Sequence, residues 1–205
     1  MAPSVQNLIE SRLSIHHFQP HRSLDESTIT ALAGLATKAP SAYNLQNWRF
    51  IAVRSEEAKS KLKSAAYGQQ KVVDASVTFI LCGTLAAHTQ LAAALKPSVD
   101  ADIMEQGMVE AWVAQASRSY DGNAQLQRDE ALRSASLAAM TLMLAAEGMG
   151  LVSCAMSGFD TEKVKDAFGL TADELPVMLV AVGYAGQGNG PQKARRSLAD
   201  VLTIV

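Results

Sequence analysis

The stretch "APSAYNLQNWRF", residues 39–50, decides how the rest of this chain is read. It opens on a proline between small residues and crowds two asparagines and a glutamine into its middle. It then runs directly into "FIAVR" (residues 50–54), an apolar strand pattern. Pro40 and Ser41 end a preceding helix, because the residue before a proline is pushed out of the helical region. A turn needs only one or two polar side chains. The surplus amides, Asn44 and Gln46, offer donors and acceptors without adding charge, which suits a flat heterocycle. Asn47 and Trp48 come next, and Trp48 reads as a core anchor for the strand.

Upstream, Ser4 is placed to cap a short helix carrying Val5, Leu8 and Ile9. "SLDE" (Ser23–Glu26) has the form of a capping box for a helix that buries Ile29, Leu32, Ala33 and Ala36. Downstream, "SEEAKSKLKSAAY" reads as an exposed helix and Val77–Cys82 as a central strand. From about 84 to 125 the chain is Ala-rich and reads as a helical excursion, interrupted at Pro97 and Gly107. Glu130–Glu147 gives the clearest helical pattern. Leu132, Ala135, Ala139, Leu142 and Ala146 line one face, and Leu137, Met140, Met143 and Leu144 cover much of the rest. A helix apolar nearly all round is buried on most sides, which in so short a chain points to a second subunit. "LVSCAMSGF", a helix from Asp160–Thr161 to Gly169 and a strand at Val177–Val182 complete the core. Strands and helices do not alternate strictly, so the fold class is α+β, with residues 1–205 as one domain.

Composition narrows the function. The chain has 205 residues, 48% of them hydrophobic, and a formal charge of −2 with no basic run, which argues against a nucleic-acid partner. Its two cysteines, Cys82 and Cys154, lie in apolar surroundings and read as buried thiols. His and Cys residues are too scattered to form a metal site. The N-terminus lacks a signal-peptide profile, and the longest apolar stretch, Ala135–Ala146, is too short to span a bilayer, so a cytoplasmic protein is expected.

Four pieces carry chemistry. In "SRLSIHHF", Arg12, Ser14 and His16 alternate and would face one way on an extended segment, two bases around a hydroxyl that suit an anion. In "KARR", after the Gly-rich "GQGNGPQ", Lys193 and Arg195 would converge in the same manner. In "AMSGFD", Gly158 lets backbone approach a ligand closely, while Asp160 caps the next helix. The amides of residues 39–50 are the fourth. No Ser–His–Asp arrangement can be built; His88 reads as an ordinary helix residue. No GxGxxG fingerprint comes after a strand, so the usual nicotinamide-binding fold is unsupported.

Taken in their order along the chain, the four pieces resemble the FMN-dependent nitroreductase family. "APSAYNLQNWRF" is similar to its "APSS-x-N-x-QPW-x-F" segment, and "AAYGQQKVVDASVTFILC", "AAEGMGLVSCAMSGFD" and "VAVGYAG…KARRSL" resemble its later segments. Within the family, the chain looks most like the compact bacterial oxygen-insensitive NAD(P)H nitroreductases. The resemblance implies a nitroreductase-like fold, a mixed central sheet flanked by helices, in an intertwined homodimer with FMN at each of two interfacial sites. It implies that Arg12, Ser14 and His16 meet the phosphate and ribityl end. Lys193 and Arg195 would complete that site, with Arg196 as a nearby alternative. It implies that Pro40, Ser41, Ala42 and Asn44 pack on the isoalloxazine from the partner subunit, supported by Gln46. Gln69 and Lys71 would reach the pyrimidine edge, and the Ser157–Gly158 backbone would donate to flavin N5. Leu13, His16, Asn47 and Ser157 depart from the family pattern, where basic residues, proline and glutamate are frequent.

The function implied is two-electron reduction of nitro compounds, quinones or similar small electrophiles, with NAD(P)H as reductant in a ping-pong cycle. Reduction of a specific enone or semialdehyde, or flavin storage with little turnover, are the alternatives. Trp112 and Tyr120 are candidate lid aromatics in the excursion, or else pack within it.

Overall fold

The structure, a computed structural model, describes residues 3–205. Its strands are β1 (Trp48–Val53), β2 (Val77–Thr84), β3 (Val152–Met156) and β4 (Glu174–Gly183), in the spatial order β1-β2-β4-β3. All three pairings are antiparallel. The parallel component of the expected mixed sheet is reduced to one isolated bridge, Ser14 to Ser153, where the N-terminal segment lies along the β3 edge. From Val77 to Gly83, β2 is buried at every residue, as a strand covered on both faces must be.

The pleat sends Val77, Phe79 and Leu81 one way, against α2 (Glu26–Ala36) and α7 (Ala124–Gly148). It sends Ile80 and Cys82 the other way, against a cluster with Leu62 of α3 (Glu56–Ala65), Val72 of α4 (Lys71–Asp74) and Val164 of α8 (Thr161–Phe168). A third cluster, Leu45, Leu91, Leu95, Val109, Ala116 and Tyr120, lies apart, within α5 (Leu91–Asp100), α6 (Gln106–Tyr120) and the turn before β1. The excursion therefore has its own small core.

Several local expectations change. The cap of α2 is Asp25, whose carboxylate accepts from Thr28 N at 2.6 Å, so the helix starts at Glu26 and Ser23 does not cap it. The α7 helix begins at Ala124, six residues before its apolar pattern, because Asn123 accepts from Leu126 N and the first turns are polar. Pro97 lies inside α5 and Gly107 in the first turn of α6, so neither interrupts a helix. Ser4 caps α1 (Val5–Ser11) and Asp160 caps α8, both as expected. Both cysteines are free and buried, and burial pushes the Cys82 thiol up to about 12.

Trp48 is only half-buried, while its neighbour Asn47 is 3% exposed. The asparagine, not the tryptophan, fills the interior at the start of β1. His88, expected to be an ordinary helix residue, lies in a short 3-10 helix, Ala87–Gln90, and is committed to partners. It is buried, stacks on Tyr120 at 5.6 Å, and its Nε2 lies 2.8 Å from Asp121 Oδ1. Tyr120 is buried and Trp112 half-buried in the excursion's own core. Among the described residues, no helix is long and apolar enough to cross a membrane.

Candidate active site

After α1 the chain runs extended. Ile15 and Phe18 are buried, while Ser14 and His16 face outward on alternate positions. Ile15 N donates to Ser153 O at 3.0 Å, and Gln19 N to Tyr184 O at 2.9 Å. The N-terminal segment is thus pinned first to β3 and then to the chain leaving β4. Gly186 makes the second contact close. Its N–H donates to His17 O at 2.8 Å, and a Cβ there would stand 2.7 Å from Phe18 O.

Asn189 locks the two chain ends together. Its Oδ1 accepts from the N–H groups of both His16 and His17 at 3.0 Å, and its Nδ2 donates to His17 O and Gly186 O. Gln192 Nε2 reaches Arg12 O at 3.3 Å. The basic residues stand out in the sequence, and Asn189 does not. The available signal was an asparagine among the glycines of "GQGNGPQ", a loop that could bend to present it.

The result is a cavity of about 260 Å³ lined by Arg12, Ser14, His16, Asn189, Lys193 and Arg195 among others. Two cationic pieces nearly the whole chain apart meet there. Arg196 is not in the lining; its guanidinium donates to Asp200 O at 3.2 Å. The positive field is legible in His16. Its pKa falls below the usual 6.5, first because of Lys71, then through burial, Lys193 and His17. Arg12 Nε is buried without a hydrogen-bond partner. A cationic cavity with an unspent buried donor fits a phosphate group.

The remaining residues on this side lie along β3. Lys71, half-buried at the start of α4, holds its ammonium 3.5 Å from Cys154 Sγ. Gln69 Nε2 donates to Gly158 O at 2.8 Å, just past the end of β3. From Ser153, beside Ser14, to Met156 at its end the strand advances about 10 Å at roughly 3.3 Å per residue, and Ser157 comes next. A long ligand lying along β3 would meet cations at one end and amides at the other.

Pro40, Ser41, Ala42, Asn44 and Gln46 are elsewhere. None lines the basic cavity, and the segment packs on the excursion through Leu45. It is tightly folded. Ser41 Oγ accepts from Gln46 N at 2.9 Å, and Tyr43, Asn44 and Gln46 all have positive φ (52°, 56° and 48°). Three non-glycine residues in the left-handed region within four positions store strain of the kind found at binding sites. The side chains of Asn44 and Gln46 remain exposed. Asn47 Oδ1, by contrast, is buried and unpartnered. If this segment meets a flavin, as the resemblance implies, replacing Asn44 by alanine raises the flavin Kd about fivefold, the worth of one neutral hydrogen bond, and more than Asn47→Ala does. Flavin-fluorescence titration of the two variants ranks them; equal Kd values would remove Asn44 from the site.

Comparison with known proteins adds the lineage. The sequence profile described as "Nitroreductase family" matches residues 9–184. YodC of Bacillus subtilis (strain 168), a candidate NAD(P)H nitroreductase, is 34% identical over 184 residues, covering 87% of this chain and 88% of its own. The enone reductase of CLA biosynthesis from Lactiplantibacillus plantarum is 28% identical over 199 residues, 91% of this chain and 92% of its own. The structure of an Exiguobacterium sibiricum protein in complex with FMN superposes with a TM-score of 0.92 at 27% identity, covering 100% of this chain and 99% of that one.

Proposed function

The chain belongs to the nitroreductase family, and from that premise we propose that it works as an FMN-loaded homodimer reducing nitro compounds, quinones or similar small electrophiles. It is an NAD(P)H-dependent flavin oxidoreductase. The observation that carries the reading is the meeting of Arg12, Ser14, His16, Lys193 and Arg195 on one cavity. We read residues 1–205 as one FMN-binding domain with an excursion.

When bound, FMN would supply the redox chemistry, a two-electron transfer from NAD(P)H to an acceptor. The chain's own residues hold and tune it. Arg12, Lys193 and Arg195 balance the phosphate charge, His16 adds to them when protonated, and Ser14 offers its hydroxyl. Lys71 keeps a positive charge at the pyrimidine edge, where negative charge develops on reduction. Gln69 joins Lys71 at the pyrimidine edge, and the Ser157–Gly158 backbone supplies a hydrogen bond near N5. Pro40, Ser41, Ala42, Asn44 and Gln46 of a second copy cover the ring, since in one chain they stand apart from the cations. Exposed apolar side chains favour that second copy: Val5 at 67%, Ile9 at 50% and Leu137 at 41% on α1 and α7. The nicotinamide leaves before the acceptor enters the same space, so the two half-reactions alternate. No covalent nucleophile is required; the Cys82 thiol stays protonated.

The purified protein should be yellow, hold about one FMN per chain and bleach anaerobically with NADH or NADPH. A colourless chain that cannot be reconstituted would sink the proposal. Similarity to an enone reductase supports a second reading, reduction of a conjugated C=C bond. Steady-state rates on a panel of nitroarenes, quinones and enones separate the two.

His16 gives the binding a pH dependence. In the ligand-free chain its pKa is lowered, so it is neutral at pH 7 and takes up a proton only on the acid side of 6.5. A bound phosphate opposes the Lys71 and Lys193 fields and raises that pKa again. Binding then takes up a proton, and FMN affinity rises as pH falls through the interval between the two values. The same lowered pKa makes the ligand-free fold lose stability below pH 6.5, because the unfolded histidine binds the proton more readily. FMN Kd measured from pH 5.5 to 8 should show this trend in the wild type relative to His16→Gln. Parallel curves for the two would remove His16 from the phosphate site.

A further inference from the structure

Tyr43 is the one aromatic side chain in the middle of the amide-rich segment, and the flavin contacts leave it without a role. Its ring is set edge-on to Trp112 (centroids 6.1 Å apart, planes at 71°) and to Tyr120 (6.4 Å, 81°), both on α6. Tyr120 in turn stacks on His88, which pairs with Asp121 at the end of α6. The series Trp112–Tyr43–Tyr120–His88 thus ties one loop residue to three positions of the excursion. Tyr43 holds this place at φ 52°, a backbone state that favours glycine or asparagine over an aromatic residue. Its chain neighbour Asn44, also left-handed, keeps an exposed side chain on the segment that covers the flavin ring in the proposed function.

We propose that Tyr43 is a positioning residue that couples α6 to the flavin-covering segment, so that filling the flavin site orders the excursion and sets access of the electron acceptor. This rests on the proposed function. The physical basis is economy of contact. Leu45 anchors the segment from below, in the excursion's own core. Tyr43 is the half-buried ring beside it, stacked on neither partner and touching two rings at their edges. Edge contacts hold orientation while permitting small shifts, which a coupling element needs. The test uses one variant that removes the ring without leaving a strained residue behind and one that keeps both ring and backbone state. Tyr43→Gly relieves the backbone and deletes the ring. Tyr43→Phe keeps ring and strain.

The experiment is amide hydrogen exchange of α6, Gln106–Tyr120, with and without saturating FMN, followed by steady-state kinetics with a nitroarene acceptor. In the FMN-free protein, Tyr43→Gly should speed exchange in α6 by about tenfold, since each edge-on pair shifts an equilibrium roughly 2- to 10-fold. FMN should slow α6 exchange in the wild type and in Tyr43→Phe, and much less in Tyr43→Gly. Acceptor KM should rise several-fold in Tyr43→Gly with a smaller change in kcat. An equal FMN-induced slowing in Tyr43→Gly and the wild type overturns the coupling, as does equal loss in Tyr43→Phe and Tyr43→Gly, which marks the hydroxyl and not the ring contacts as what matters. A wild-type chain that takes up no FMN overturns the proposed function itself. That failure is told apart because the exchange difference between FMN-free variants is read without the flavin.

Discussion

Arg12→Ala is expected to weaken FMN binding by roughly 10- to 150-fold, the loss of one charge-assisted hydrogen bond worth about 1.5–3 kcal/mol. The effect is that of a direct contact because the arginine is not committed elsewhere. No carboxylate pairs with it among the described residues, and its Nε is buried without a partner. The segment itself is held by backbone: Ile15 N to Ser153 O, the two N–H groups on Asn189, and Gln192 on the Arg12 carbonyl. Truncating the side chain should leave that frame standing. Arg12→Lys keeps the charge but loses the planar fork and should fall between. Arg54, 3.8 Å from Glu26 on the surface, is the control, and its alanine variant should bind as the wild type does. Equilibrium titration at two salt concentrations is the measurement. An Arg12→Ala chain that binds FMN as tightly as the wild type would place the phosphate elsewhere.

The second large effect is on stability. A Cβ added at Gly83 would stand 2.4 Å from the Ala131 carbonyl oxygen and 2.8 Å from the Ala131 Cβ. Gly83 lies on β2, opposite Trp48 in register, and Ala131 lies inside α7, so both clashing partners are regular backbone with no free end to move. Relief would require α7 to lift from the sheet and open the core around Phe79, Leu142 and Ala139. Gly83→Ala should therefore cost at least about 3 kcal/mol, the upper range for overpacking, and lower the urea midpoint with little change in slope. Gly107→Ala, where nothing lies within 4 Å, is the matched control and should be neutral or slightly stabilising. A Gly83→Ala chain as stable as the control would mean that β2 and α7 are not packed as described.

Much of the fold was legible because its signals are local. The runs of apolar, β-branched residues mark β2 and β4, and side-chain caps at Ser4 and Asp160 mark helix starts. Elsewhere, competing local chemistry decided. Asp25 outcompeted Ser23 because its carboxylate reaches Thr28 N. The first turns of α7 carry too few apolar residues to register as periodic. Asn47 and Trp48 exchanged places, since burial at a strand start depends on which side the sheet presents. His88 gained its partner, Asp121, only through the packing of the excursion.

The sequence by itself determined the α+β class, the family, the absence of a dinucleotide fingerprint, and two basic clusters with an amide-rich turn between them. These come from composition, spacing and residue type, which exist before the chain folds. The tertiary structure alone decided that Arg12 and Lys193 share one cavity. It also decided that Lys71 acts on His16 and that the amide segment of the same chain lies apart from both, on the excursion. Those are contacts between residues far apart in sequence. They depend on the strand order β1-β2-β4-β3 and on Asn189 bonding across 172 residues to His17. A local pattern carries no distance between its parts, and the closure of the sheet and of that loop supplies it.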